Sequence, residues 1–223
     1  MNDIAMLAAD TSRTKYYVTQ LIKNNLQPAY VLVLLNSGSE LLPGQKESGF
    51  ENELVKLLLM ANIKYDVAPT FDINSPEVIM MISNRSESVF IFSGFGGTLL
   101  EDKVLSTGKF FLHVHGGYLP DYKGSTTNYY SLINENTIGA SSIFLSHEID
   151  CGPVLLRRKF IAPLNRKDMD HVHDSEARSK VLIETLNQYL DSGGWSFEFK
   201  KNQGGETYYI IHPVLKAIAI FGE

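Results

Sequence analysis

The chain reads as an α/β domain built on a mostly parallel sheet with helices on both faces, and three observations predict it. Short apolar runs without strict alternation recur along most of its length, the pattern of strands covered on both faces. Stripes of apolar residues at helical spacing separate those runs. Strand and helix therefore alternate, which is the mark of βαβ construction.

The elements follow in order. Ile4 to Ala8 is the first strand, and Tyr17, Val18, Leu21 and Ile22 give the first helical stripe. Tyr30 to Leu35 is the second strand; Phe50, Leu54, Leu57, Leu58 and Ala61 make the next stripe. Val89 to Phe92 and Phe110 to Val114 are two more buried strands, each bounded by polar or glycine-rich residues. A helix is predicted over Thr126 to Asn134, and Ser142 opens a strand that runs into a loop ending at Gly152. Val154 to Phe160 resumes an extended pattern. A long helix spans about Asp168 to Asp191, with Leu182, Leu186, Tyr189 and Leu190 on one face and Gly193-Gly194 ending it. Beyond it, Ser196 to Lys200 and Thr207 to Ile211 flank Asn202-Gln203-Gly204-Gly205, a hairpin signal. The expected organisation is a main domain over residues 1–192 with a small C-terminal β extension, 193–223, packed on it.

Composition narrows the function. A chain of 223 residues is enough for one generous domain or for one domain plus a small appendage. Its net charge of -5 offers no general attraction to a phosphate backbone, which disfavours nucleic acid as a partner. Cys151 is the one cysteine, so no intrachain disulfide forms, as suits a reducing cytosol. The N-terminus lacks the basic flank and apolar stretch of a signal peptide, and no apolar run approaches the roughly 20 residues that span a bilayer. A cytoplasmic protein without a membrane partner is the expectation. Strands in the tail would either pair with a second subunit, giving a homodimer, or fold back on their own domain.

The chemistry concentrates in two stretches. In FFLHVHGGYLPDYKG, Phe110 to Gly124, period-2 geometry puts His113 and His115 on one strand face and Val114 on the other. Gly116-Gly117 follows at the strand's carboxyl end, where α/β folds bind ligands and where glycine lets a ligand approach the backbone. About thirty residues on, SIFLSHEIDCG (Ser142 to Gly152) carries His147, Glu148 and Asp150 in a loop, so a carboxylate is available to the histidines. The same spacing allows zinc, since His-x-His on a strand can ligate it beside a carboxylate. His171-x-His173 lies in a charged helix start and reads as solvated. Near the first strand, the backbone N–H groups at Asp10-Thr11-Ser12-Arg13, with the Arg13 side chain, either hold a phosphate or form an ordinary helix cap.

The pair HVHGGYLPDYKG and EIDCGPVL resembles the signature of the 10-formyltetrahydrofolate-dependent formyltransferases. That family includes glycinamide ribonucleotide, methionyl-tRNA and sugar N-formyltransferases. Its usual pattern is Asn-x-His-(Gly/Pro)-x-x-Leu-Pro followed by Leu-Asp-x-Gly, matched here by His115, Gly116, Leu119 and Pro120, then Ile149, Asp150 and Gly152. The upstream GFGGTLL, Gly94 to Leu100, is similar to the loop lining the family's folate pocket. The resemblance covers roughly residues 1–160. It implies a Rossmann-like formyltransferase fold, 10-formyltetrahydrofolate as formyl donor, no metal, and a catalytic triad carried by His115 and Asp150. This chain departs from the family at the asparagine, where His113 stands; neutral imidazole donates from one nitrogen only, so either it takes over the oxyanion contact or the reaction is altered.

By the same resemblance, Gly94, Phe95, Gly97 and Leu99, with Leu145, His147 and Ile149, would line the folate pocket. Lys123 and Thr126 lie in the family's substrate-facing region; Ser12 and Arg13, at the start of the first helix, are the other acceptor-facing candidates. The tail does not resemble a tRNA-binding domain, which favours a small-molecule amine acceptor; a nucleotide-linked amino sugar is the expected class. Three other readings stand beside it: a 10-formyltetrahydrofolate hydrolase, a folate-binding relative without turnover, and a metal-dependent hydrolase.

Overall fold

The computed structural model describes residues 1–35, 52–195 and 202–222. Phe50 in the second helical stripe and the Ser196 to Lys200 strand lie outside those residues. The chain divides into two compact units, Met1–Leu112 and His113–Glu223.

The first unit follows the alternation read from sequence. It runs β1 (Ile4–Ala9), α1 (Ser12–Lys23), β2 (Tyr30–Leu34), α2 (Glu53–Met60), β3 (Tyr65–Val67), α3 (Pro76–Ser83), β4 (Val89–Ser93), α4 (Asp102–Leu105) and the first half of β5 (Phe110–His115). Every residue of β1, β2 and β4 is buried, which is why these strands show no alternation. β1 pairs in parallel with β2 and β4, and β2 with β3. The order in this unit is β3-β2-β1-β4-β5. Helix starts are set by side chains that accept first-turn N–H groups: Thr11 for α1, Asn52 for α2 and Ser75 for α3. Because the chain goes from β1 to β2 on one side and later returns to β4 on the other, the β1/β4 carboxyl ends form a topological switch point.

The second unit holds the rest of β5, then β6 (Tyr122–Gly124), α5 (Thr127–Glu135), β7 (Thr137–Phe144), β8 (Val154–Ile161), a π-helical turn (Met169–His173), α6 (Asp174–Asp191), β9 (Glu206–Tyr208) and α7 (Pro213–Phe221). Its sheet order is β5-β7-β8, with β7 and β8 antiparallel. The whole is a seven-stranded, mostly parallel sheet with connecting helices, the fold class expected. Val181, Leu182 and Leu186 form the buried face of α6; Tyr189 is half-buried, and Leu190, expected on that face, is exposed.

The tail differs from its sequence reading. Glu206–Tyr208 pairs in parallel with Tyr122–Gly124, and residues 213–221 are helical. A parallel partner is distant in sequence by necessity, so hairpin signals cannot reveal it. The described tail residues belong to the second unit. No helix among the described residues is long and apolar enough to cross a membrane.

Candidate functional site

The second unit gathers its polar residues where β5 ends. β5 delivers His115 into the interior, 4% exposed, with His113 half-buried two residues earlier. The glycines that follow are required by space: a Cβ on Gly116 would collide with Arg178 and Asp174, and one on Gly117 with the His115 ring, the Tyr122 carbonyl and Thr127. The chain then passes a cis Leu119-Pro120 bond into β6.

Asp150, 8% exposed, reaches the same place from the loop between β7 and β8. It adopts a left-handed conformation (φ 53°), which Asp tolerates better than most residues. Gly152 closes that turn against the Phe144 carbonyl, with no room for a side chain. Asp150 Oδ2 lies 3.3 Å from His115 Nδ1 and accepts from the Gly124 N–H at 2.8 Å. His115 Nε2 lies 2.8 Å from the Tyr122 carbonyl and 3.5 Å from Thr127 Oγ1, whose hydroxyl donates to the Gly116 carbonyl.

Electrostatics favour a neutral ring. Burial pushes the His115 pKa below its ordinary value; the Asp150 carboxylate pulls the other way, and Arg178 adds to the lowering. A neutral imidazole has one N–H and here faces oxygen at both nitrogens. The Tyr122 carbonyl and the Asp150 carboxylate both accept, so distance decides, and the 2.8 Å contact favours the proton on Nε2. The longer Nδ1 contact agrees, since charge-assisted N–H···O bonds run about 2.7–2.9 Å. Beside this pair lies a cavity of about 130 Å³ whose walls include His115, Gly116, Thr126, Thr127, Asp170, Asp174 and Arg178. Asp174 pairs with Arg178 at 2.7 Å and accepts from the Asn128 amide at 3.0 Å. Asp170 accepts from the Tyr129 hydroxyl at 2.7 Å.

Other sequence candidates fall as follows. Thr126 lines the cavity and starts α5 in a left-handed conformation (φ 52°), and its Oγ1 accepts from the Ile211 N–H at 2.9 Å. Lys123, in β6, is buried and its ammonium points to Cys151 Sγ at 3.6 Å in the β7–β8 loop rather than into the cavity wall. Leu145 packs against Leu119, Ile143 and Val154, while His147 and Ile149 are exposed. His173 Nε2 contacts the Asn165 carbonyl at 2.7 Å, and His171 is exposed.

In the first unit, Ser12 and Arg13 stand at the switch point with Gly94. Thr11 caps α1, and the Arg13 guanidinium donates to the Gly94 carbonyl. Gly94 has no space for a Cβ against the Phe92 ring. Gly97, with φ 79°, and the exposed Leu99 continue the loop past half-buried Phe95, and Asn74 anchors it by donating to the Leu99 carbonyl at 3.0 Å.

Sequence reasoning did not single out Thr127, the Tyr122 carbonyl, Arg178, Asp174 or Asn202. Thr127 carries no signal beyond a polar side chain close after the motif, and a main-chain carbonyl has no residue-type signal. Arg178 and Asp174 carry the i,i+4 spacing of an ordinary surface pair, and Asn202 looked like turn chemistry. Among the described residues, no three His, Cys, Asp or Glu side chains cluster in a way that would hold a metal ion.

No family model matches the chain. A methionyl-tRNA formyltransferase of Synechococcus elongatus is 29% identical over 138 residues, which are 60% of this chain and 41% of that protein. Glycinamide ribonucleotide transformylase 1 of Symbiobacterium toebii superposes with TM-score 0.64 at 13% identity, over 92% of this chain and 95% of that one. An N-formyltransferase of Helicobacter canadensis, solved with folinic acid and dTDP-3-aminofucose, superposes with TM-score 0.61 at 17% identity, over 94% and 71%. The chain is thus related in sequence to formyltransferases and carries their fold, while spanning about two fifths of the length of the curated relative it matches.

Proposed function

We propose that this chain transfers a formyl group from 10-formyltetrahydrofolate to the amine of a small acceptor. The observation that carries the reading is the buried His115–Asp150 pair, 3.3 Å apart, at the carboxyl end of β5. The acceptor nitrogen attacks the formyl carbon, and negative charge develops on the formyl oxygen. Nε2–H of His115 exchanges its resting acceptor, the Tyr122 carbonyl, for that oxygen, and His113 supplies a second donor. Asp150 relays the amine's proton toward folate N10, which leaves protonated as tetrahydrofolate. The products balance: one N-formyl amide and one tetrahydrofolate.

Residue roles follow the resemblance where local geometry agrees. Gly94, Phe95, Gly97 and Leu99 in the first unit, and Leu145, His147 and Ile149 in the second, are the proposed folate contacts. Ser12, Arg13 and Thr126 remain proposed for the acceptor. Lys123, buried against Cys151, suits the role less well. The cavity beside His115 suits the polar, amine-bearing end of the acceptor, because its wall offers hydrogen-bonding groups beside the ring, with Asp170 and Asp174 already paired to Lys216 and Arg178. The Helicobacter relative's sugar nucleotide supports a nucleotide-linked amino sugar as acceptor, and the net charge of -5 supports a small molecule over tRNA. We place the enzyme in the cytoplasm.

The test supplies 10-formyltetrahydrofolate with a panel of amines that includes nucleotide-linked amino sugars and an aminoacylated initiator tRNA. Formylated small amine is the expected product. Formate released without any amine would make the chain a hydrolase. Tight folate binding with no turnover on any acceptor would make it a binding protein.

A further inference from the structure

Asp150 is held in its left-handed turn from outside its own loop. The Asn202 side-chain amide donates to two main-chain carbonyls of that turn, Asp150 and Gly152, the latter at 2.9 Å. Asn202 lies 52 residues further along the chain than Asp150. Its own Oδ1 is buried without a hydrogen-bond partner among the described residues. Burying an unsatisfied carbonyl oxygen costs on the order of 1–3 kcal/mol, so an apolar residue would serve stability better unless the two donated bonds matter.

The strand that follows reinforces the same place. β9 pairs with β6, placing Glu206 opposite Tyr122 and Tyr208 opposite Gly124. Tyr122 supplies the carbonyl at His115 Nε2, and Gly124 supplies the N–H on Asp150 Oδ2. The Tyr208 ring stacks on Tyr122 with centroids 5.4 Å apart, and Gly124 has no room for a side chain against the Tyr208 carbonyl. Both partners of the His–Asp pair are therefore fixed by residues 202–208.

We propose that Asn202 is a positioning residue for the reaction, setting the Asp150 carboxylate against His115 Nδ1, with β9 holding the opposite side of the ring. The inference rests on the formyl-transfer reading for its rate consequence but not for its geometry. The full-length chain is compared with Asn202→Ala and with Asn202→Asp, which keeps the volume but cannot donate two hydrogen bonds at neutral pH. Two readouts are taken: kcat and KM for formyl transfer, and the 15N resonances of the His115 ring in the folate-free protein. We expect kcat to fall about 10- to 100-fold with KM within about twofold, since a misplacement of about 1 Å costs about a hundredfold. The His115 Nδ1 resonance shifts in both variants. If that resonance stays at its wild-type position, or if kcat and KM are unchanged, the proposal is overturned. If the wild type shows no formyl transfer at all, the proposed function fails, and the ring resonances alone decide whether Asn202 positions the pair.

Discussion

His115 has an oxygen at each ring nitrogen and is almost fully buried, and its ionisation follows from that setting. Because burial depresses its folded-state pKa, the unfolded chain takes up the proton first as pH falls. The resulting stabilisation is complete above the ordinary histidine value, about pH 6.5, and is lost as pH drops through the folded-state value. Urea midpoints should therefore fall between about pH 7 and about pH 5.5, and fall less for His115→Asn. Equal slopes would mean the ring is not held neutral. For turnover, His115→Ala or Asp150→Asn should cost about a hundred- to a thousandfold in kcat, the usual loss with an oxyanion donor or its orienting partner. His113 is tested by a pair of variants. His113→Asn should keep most of the rate because an amide N–H is always available, while His113→Ala should lose about a hundredfold or more. Equal rates in all three proteins would remove His113 from the oxyanion contact.

At the scale of elements, the site depends on how strands end. The β7–β8 connection turns at Gly152, where the Phe144 carbonyl occupies the space of a Cβ. Gly152→Ala forces that backbone apart and should destabilise the protein by about 1–3 kcal/mol, the usual cost of overpacking. Asp150 is two residues away, so the same variant should lose formyl transfer even at temperatures where it is fully folded. A destabilised but fully active variant would separate turn from site. In the first unit, Thr11 Oγ1 accepts the Thr14 N–H at 3.1 Å and caps α1. Thr11→Ala should cost about 1 kcal/mol in a denaturant titration. The cap is separate from the His–Asp pair, so its loss should leave kcat near the wild-type value.

Over the whole molecule, ligand linkage gives the broadest test. A stable analogue of 10-formyltetrahydrofolate at about 100 times its Kd should add about 2.7 kcal/mol to the unfolding free energy. Calorimetry should show tight binding to the wild type and weaker binding to Asp150→Ala, and an unmoved melting transition at millimolar analogue would leave no folate site to explain. With a net charge of -5, binding of a small acceptor should show little of the steep salt dependence that marks phosphate-backbone contacts.

The sequence by itself determined the α/β class, because buried parallel strands must be apolar on both faces and Ile4–Ala9, Tyr30–Leu34 and Val89–Ser93 are. The motif resemblance singled out His115 and Asp150, and the glycines around them carry a signal of their own, since sharp turns and close approaches restrict residue type at those positions. Tertiary structure alone decided what those residues touch. The Tyr122 carbonyl at Nε2 and the Gly124 N–H at Oδ2 are main-chain groups that every residue type carries. Lys123 read as a substrate contact from its place beside the motif, and chain packing sets its ammonium against Cys151. β9 found its partner in β6 through a parallel pairing more than eighty residues back along the chain, and Asn202 gained its place on the Asp150 turn with it. Local pattern is blind to such contacts, because their stability comes from groups that only the completed fold brings within hydrogen-bond reach.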